Sequence, residues 1–167
     1  GWTVSQQDQT RTKRLETLRR AMAAAGFDGW IIGREDMYQG EEVPAGDERL
    51  AYLSGFTGSA GFAVVLGDRA GLFSDGRYSL QMPAQTNSAE WDCNTIPDVT
   101  CEDWLKTAGL AGGATIAIDG RLVTVSGFRR FEKSVLAAGG TLVCHHENLL
   151  DQQWHERPTL PPAASWQ

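Results

Sequence analysis

The chain has 167 residues, a length that fits one domain, and its 41% hydrophobic and 22% charged residues are a balance typical of globular proteins. Its net charge of −6 argues against a surface that binds nucleic acid or an anionic membrane, because such a surface needs a basic patch. No apolar run approaches the roughly 18 residues of a membrane span. The three cysteines, an odd number without CxxC spacing, argue against a disulfide framework and favour a reducing, cytoplasmic compartment.

The N-terminal part of the chain predicts one helix followed by one strand. Residues 1–10 are polar and are expected to be frayed. From about Thr10 to Ala25, apolar residues at helical spacing predict an amphipathic helix. The short run Gly29–Gly33 predicts a buried strand, and residues 34–46 form a long candidate loop, of a length that is often functional.

The central stretch carries the most distinctive local patterns. A glycine-rich bend, residues 55–61, is followed by two apolar runs, residues 62–66 and 70–73, whose spacing predicts a tight β-hairpin. The second run ends in Ser74-Asp75-Gly76-Arg77-Tyr78, which predicts a corner between a strand and a helix. That corner brings Arg77 to the end of a sheet, where binding groups tend to lie in α/β folds.

The second half of the chain predicts alternating helices and strands. The predicted strands are Trp91–Ile96, Thr115–Asp119 and Thr141–Cys144. The predicted helices are Tyr78–Gln85, a helix capped by Thr100, and a helix that is capped by Ser126 and ends at Ala138. The nearly continuous apolar character of Thr115–Asp119 predicts an interior strand, whereas the alternation in Trp91–Ile96 predicts a half-buried or edge strand.

About six strands and five helices in this order predict an α/β sandwich with a mixed sheet, in which one antiparallel hairpin is joined by helical crossovers to the other strands. We expect the domain to cover residues 11–147. Residues 148–167 predict a short exit helix and a proline-rich linker, which suggests a piece of a longer protein.

Residue chemistry alone predicts no self-contained catalytic set. The glycines at 55, 58 and 61 lack the spacing of a dinucleotide loop, and Ser59 lacks a nucleophile elbow because Thr57 stands where that motif needs glycine. Turn glycines that let the backbone pass close to another segment are the simpler interpretation. The sequence thus predicts no catalytic residue.

The residues that could bind a metal ion or a ligand also have simple structural interpretations. The run Cys144-His145-His146 alternates faces on a strand, so its side chains do not converge on one ion, and no metal ligand is predicted. Asp75 and Asp119 each precede a glycine and are expected to form turns. Arg77 is either a solvated or ion-paired residue or a ligand contact, and its spacing does not decide between them.

Three blocks of sequence resemble the N-terminal domain of the Xaa-Pro aminopeptidases (aminopeptidase P), within the creatinase/prolidase group. They are DERLAYLSGFTGSAGFAVV, then LFSDGRYSLQ, and finally ENLLDQQWHERPTLPP. The last block resembles the segment that leads out of the first domain in the three-domain members. The blocks occur in the family's order and the likeness covers nearly the whole chain.

The resemblance implies a three-layer sandwich with a six-stranded mixed sheet, at the mouth of an active site that removes the N-terminal residue before a proline. It implies that this domain limits access to short peptides and takes part in a homodimer. It also implies that Arg77 contacts the proline-containing peptide substrate, with Asp75 and Tyr78 positioning it. Two manganese ions are expected in a separate catalytic domain and none in this chain.

Two alternatives remain open at this point. The chain could be the N-terminal domain of a prolidase or creatinase-type hydrolase, although the exit segment argues against it. It could also be a stand-alone binding or dimerisation module.

Overall fold

The structure is a computed structural model that describes residues 4–33 and 48–154. Within these residues, six strands form one sheet. The strands are β1 (Gly29–Gly33), β2 (Phe62–Leu66), β3 (Ala70–Asp75), β4 (Trp91–Ile96), β5 (Thr115–Asp119) and β6 (Thr141–His145). The helices are α1 (Val4–Ala25), α2 (Arg49–Ser54), α3 (Gln81–Gln85), α4 (Cys101–Thr107) and α5 (Val125–Ala137), and Gly76–Tyr78 is a 3₁₀ turn.

The strand order in the sheet is β4-β3-β2-β1-β5-β6. Strand β2 is antiparallel to both of its neighbours, and the other pairs are parallel. The five remaining strands therefore end at one edge of the sheet, which we call the carboxyl edge. The predicted mixed sheet is confirmed, as are the hairpin, the interior position of β5 and the edge position of β4.

Helices cover both faces of the sheet. Alternate residues of β1 illustrate the division, because Trp30 and Ile32 lie in one apolar cluster whereas Ile31 lies in the other. The first cluster contains the buried side chains of α1, α2 and α3, and the second contains those of α4 and α5. The result is the predicted three-layer α/β sandwich.

Two helix ends differ from their predicted positions. Helix α1 begins at Val4 rather than near Thr10, and the Thr10 hydroxyl donates to the Gln6 carbonyl at 3.0 Å inside the helix. The fraying expected of residues 1–10 stays a prediction, although the helix already includes residues 4–10. Helix α5 is capped by Thr124, whose hydroxyl accepts the Gly127 N–H at 3.0 Å, and not by Ser126.

The predicted exit helix is replaced by turns. The Asn148 side-chain oxygen accepts the N–H groups of Leu150 and Asp151 at 3.0 and 3.2 Å, a local alternative to helical hydrogen bonding. Leu149 and Leu150 are buried in the apolar cluster beneath α1. This segment therefore belongs to the core of the domain. The loop at residues 34–46 and the linker after residue 154 lie outside the described residues.

Among the residues that the structure describes, no helix combines the length and the apolar character that crossing a membrane requires.

Candidate functional site at the carboxyl edge

Strand β3 delivers Arg77 to the carboxyl edge through a turn that Asp75 closes. Asp75 is the last residue of β3, and its Oδ1 accepts the backbone N–H of Arg77 at 2.9 Å. The same carboxylate accepts from Arg77 Nε at 2.9 Å and from Nη2 at 2.8 Å. The Arg77 side chain is nevertheless 67% exposed. The predicted corner is therefore confirmed, and it presents a guanidinium to solvent.

The paired guanidinium keeps donors for a further acceptor. A guanidinium has five N–H groups, and Asp75 receives one from Nε and one from Nη2. No hydrogen bond found among the described residues uses Nη1. The edge formed by Nη1 and the second N–H of Nη2 has the fork geometry that binds a carboxylate or a carbonyl group.

The pair is fully charged near neutral pH. The hydrogen bonds from Arg77 lower the pKa of the Asp75 carboxyl to about 2. The same bonds raise the pKa of Arg77 above its ordinary value. Asp75 therefore fixes the direction of the arginine without removing its charge.

Tyr78 attaches this turn to the glycine-rich loop, residues 55–61. Its hydroxyl is hydrogen bonded to the Ser59 hydroxyl and accepts the Ser59 N–H at 3.2 Å. The bond to Ser59 lowers the pKa of Tyr78. The tyrosine ring meets the buried Phe56 ring edge to face at 5.6 Å, and the Arg77 guanidinium carbon lies 5.2 Å from the Tyr78 ring centroid. The Arg77 guanidinium thus lies near the ring of Tyr78, which is fixed by its hydroxyl bonds to Ser59 and by its contact with Phe56.

Gln85 makes a second attachment between the same two segments. Its amide oxygen accepts the Thr57 N–H at 3.0 Å, and its amide nitrogen donates to the Thr57 hydroxyl at 2.9 Å. Gln81 donates to the Gln85 oxygen at 3.1 Å. These bonds hold the loop against α3 and so restrict the turn that carries Arg77.

Gly55 shows why the loop needs glycine. It has φ +90° at the end of α2, and its N–H donates to the Ala51 carbonyl at 2.8 Å. A Cβ atom at this position would lie 2.6 Å from the carbonyl oxygen of Gln85. The interpretation as residues of close backbone approach is confirmed for Gly55 and for Gly61, where an added Cβ atom would lie 2.7 Å from the carbonyl oxygen of Phe73, whereas at Gly58 it would meet the ring of Phe56.

A second Asp-Gly-Arg turn lies at the same edge, after β5. Asp119 Oδ1 accepts the backbone N–H of Arg121 at 2.9 Å and Nε at 3.2 Å, and Oδ2 accepts Nη2 at 3.0 Å. Asp119 is 2% exposed and also accepts from Asn148 at 3.0 Å. Sequence reasoning predicted both turns but missed their equivalence, which the repeated tripeptide could have revealed.

The other candidates from the sequence do not converge on a site. Ser59 is paired with Tyr78, and its loop leads into β2 rather than into a helix. His145 packs edge to face on Phe27 and Trp30, at ring distances of 5.0 and 6.2 Å. Within residues 4–33 and 48–154 there is no group of three or more His, Cys, Asp or Glu side chains that could hold a metal ion.

Residues 14–153 match the family model of the creatinase/prolidase N-terminal domain. The chain belongs to this family. The resemblance seen in the three sequence blocks is therefore confirmed.

Relatives of this creatinase/prolidase N-terminal domain are named as peptidases. A probable Xaa-Pro aminopeptidase P from Pyrenophora teres f. teres is 39% identical over 155 residues, which are 90% of this chain and 23% of that protein. The chain thus spans about a quarter of the length of the curated relatives that it matches.

Solved structures share the fold. The X-prolyl aminopeptidase of Caenorhabditis elegans, described as a cytosolic enzyme with a di-nuclear active site, is 31% identical with a TM-score of 0.79. That match covers 91% of this chain and 27% of the enzyme. The N-terminal domain of the cytoplasmic peptidase PepQ from Mycobacterium tuberculosis is 27% identical with a TM-score of 0.63, and the match covers 84% of this chain and 97% of that domain.

Proposed function

We propose that this chain is the non-catalytic N-terminal domain of a metal-dependent Xaa-Pro aminopeptidase, a cytoplasmic enzyme that releases the residue before a penultimate proline. In the intact enzyme the domain limits access to the active site, contacts the peptide through Arg77 and takes part in a homodimer. The observation that carries the proposal is the exposed Arg77 fork, held on Asp75 at the carboxyl edge of a domain of this family.

The geometry of Arg77 suits contact with a short peptide. A peptide offers carbonyl oxygens along its length and a carboxylate at its end, and the free edge of a guanidinium can donate two hydrogen bonds to either. Asp75, Tyr78 and the loop behind them fix the arginine before the peptide arrives. Such preorganisation reduces the entropy that binding would otherwise cost.

The metal ions of the proposal are assigned to the rest of the parent protein. The described residues offer no suitable group of ligands, and the relatives are about four times as long as this chain. The Caenorhabditis elegans relative is described as having a di-nuclear active site, and we propose two manganese ions in the parent enzyme. No step of the reaction is assigned to a residue of this chain, so we expect the chain to be inactive on its own.

The experiment compares the two Asp-Gly-Arg turns in the full-length parent enzyme. Arg77→Ala and Arg77→Lys remove the fork, and Arg121→Lys is the matched control because Arg121 has the same hydrogen bonds to its own aspartate. We expect both Arg77 variants to lower kcat/KM for an Xaa-Pro peptide by about 10- to 100-fold, the usual loss for a charged hydrogen bond. Arg121→Lys should stay within about twofold of the parent. An unchanged kcat/KM in Arg77→Ala would overturn the proposed contact.

The molecular mass of the full-length protein from sedimentation tests the proposed homodimer. A panel of peptide substrates tests the class of enzyme. The similarity to the N-terminal domain of PepQ favours, as the second candidate, another peptidase of the same family. An Xaa-Pro aminopeptidase should cleave peptides longer than two residues with proline in second position. Activity restricted to Xaa-Pro dipeptides would favour the second candidate.

A further inference from the structure

The turn that carries Arg77 contacts the glycine-rich loop and the core on one side, and its other side is exposed to solvent. Residues 76–85 are helical or nearly so, because Ser79 and Leu80 have right-handed helical backbone angles between the 3₁₀ turn and α3. The inward side chains of this stretch, which contact the glycine-rich loop or the core, are Tyr78, Gln81, Met82 and Gln85. The exposed residues are Gly76, Arg77, Ser79, Leu80, Pro83 and Ala84.

Leu80 is the most prominent apolar side chain on this face. It is 85% exposed, more than the two other exposed large hydrophobic residues of the described chain, Val125 at 72% and Leu136 at 55%. Exposing apolar surface of this kind to water is unfavourable, and covering it with a partner lowers the free energy. Because Leu80 follows Arg77 by only three residues, a ligand of the candidate site is one partner that could cover it.

Leu80 and Arg77 are spaced to contact the same small molecule. They are three residues apart on one helical face, and side chains at that spacing are neighbours about 5–6 Å apart at Cβ. A residue of an extended peptide spans about 3.4 Å and carries both a carbonyl group and a side chain. One or two consecutive peptide residues can therefore place an oxygen at the Arg77 fork and an apolar side chain on Leu80.

The surroundings of Leu80 fit one substrate side chain better than a protein surface. A stable protein interface buries on the order of 1,000 Å² or more and contains several large apolar anchors. On this turn the exposed neighbours of Leu80 are the small or polar residues Gly76, Ser79, Pro83 and Ala84. Val125 and Leu136 belong to α5, which covers the opposite face of the sheet. In the described part of this turn, Leu80 is thus the one exposed large apolar side chain, three residues along the chain from Arg77.

We propose that Leu80 determines specificity at the Arg77 site by packing against an apolar side chain of the bound peptide. The residue that it contacts is next to the main-chain group or carboxylate that Arg77 binds. Leu80 therefore favours a large apolar residue at one substrate position. This inference rests on the function proposed above for Arg77.

The test measures side-chain preference in the full-length parent enzyme. A series of Xaa-Pro peptides carries leucine or alanine at each position in turn after the proline, and kcat/KM is measured for each pair. The variants are Leu80→Ala, Leu80→Met as a conservative replacement, and Leu136→Ala as a matched loss of an exposed leucine elsewhere. Since Leu80 is exposed, its replacement should leave the melting temperature unchanged.

We expect Leu80→Ala to reduce the leucine-over-alanine preference at one position by about three- to tenfold, a modest apolar contact effect. Leu80→Met and Leu136→Ala should keep the preference of the parent enzyme. Unchanged preferences at every position in Leu80→Ala would overturn the inference. So would an equal loss for all peptides, which indicates a contact with the rest of the parent chain, or a change in oligomeric mass, which indicates a second copy.

Failure of the inference is distinguishable from failure of the proposed function. If Arg77→Ala lowers kcat/KM while Leu80→Ala leaves all preferences unchanged, only the role of Leu80 is wrong. If Arg77→Ala has no effect on kcat/KM, the proposed substrate contact itself is wrong.

Discussion

The carboxylate of Asp75 binds both the backbone and the guanidinium of Arg77, two residues later in the chain, at distances of 2.8 to 2.9 Å. The Asp119–Arg121 pair repeats this arrangement, but Asp119 is buried and has an additional donor in Asn148. The Asp75 side chain is 41% exposed, whereas the arginine side chains of the two turns are exposed alike, Arg77 at 67% and Arg121 at 64%. The two turns therefore differ at the aspartate: Asp119 also binds Asn148 in the segment after β6, whereas the hydrogen bonds found for Asp75 among the described residues all come from Arg77.

The first prediction concerns the titration of Asp75. Its pKa in the folded protein is lowered to about 2 by Arg77, below the ordinary value of about 3.9 for aspartate. The stabilisation that the pair provides is therefore complete above about pH 4 and is lost as the pH falls towards 2. NMR titration of the side-chain carboxyl carbons should show this low midpoint. Arg77→Ala should raise it towards the ordinary value, and an identical midpoint in the variant would contradict the assignment of the cause.

The second prediction concerns the bond between Tyr78 and Ser59. Because this bond lowers the pKa of Tyr78, Ser59→Ala should raise it towards the ordinary value. The ionisation can be followed by ultraviolet difference absorbance, with Tyr78→Phe assigning the signal. Loss of one exposed hydrogen bond should cost less than about 1 kcal/mol in the free energy of unfolding. A Tyr78 titration that Ser59→Ala leaves in place would mean that another group controls it.

Local patterns were sufficient to predict the sheet and the position of Arg77. The strands were recognisable because each is a short apolar run between turn residues. The position of Arg77 was recognisable because the bond that fixes it, from its N–H to Asp75, joins residues only two apart in the sequence. The helix caps were less certain, since Thr124 and Ser126 both offer a hydroxyl two residues apart. Only the folded geometry shows which of them meets an N–H group.

Contacts between distant residues were beyond prediction from the sequence. Arg49 and Asp151 are 102 residues apart, and no local pattern pairs them. The attachment of Gln85 to Thr57 spans 28 residues and depends on how α3 packs beside the loop. Burial of Leu149 and Leu150 was missed for the same reason, because the turn made by Asn148 resembles the start of a helix.

The third prediction separates the two costs of replacing Gly55. Gly55→Ala puts a Cβ atom on a backbone with φ +90° and 2.6 Å from the Gln85 carbonyl oxygen. Gly109→Ala is the matched control, because Gly109 has φ +71° but no atom within 4 Å of the added Cβ. We expect a loss of about 1–2 kcal/mol in the control from the left-handed conformation alone.

Gly55→Ala should lose more than this control, because the backbone of α3 must also move away from the loop. The free energy of unfolding from urea titrations measures both variants. The same variant should lower kcat/KM of the parent enzyme, since Gln85 and the loop position the turn of Arg77. Equal losses in the two variants would show that the close approach to Gln85 contributes nothing.

The fourth prediction concerns the ion pair that holds the end of the domain. Arg49 donates to Asp151 from Nε at 2.9 Å and from Nη2 at 2.8 Å, and the two side chains are 7% and 22% exposed. Asp151→Asn removes the charge opposite a buried guanidinium, which should lower the free energy of unfolding by about 2–3 kcal/mol. Glu102→Gln is the control, because it breaks the exposed pair with Lys106 and should cost less than about 1 kcal/mol.

Urea denaturation of both variants measures this difference, and it also tests where the domain ends. If Asp151→Asn destabilises the whole cooperative transition, residues 148–151 are part of the folded unit, as the burial of Leu149 and Leu150 requires. If it costs no more than Glu102→Gln, the segment is only loosely attached. Arg49 begins α2, which leads into the glycine-rich loop behind Tyr78, so the ion pair also supports the position of Arg77.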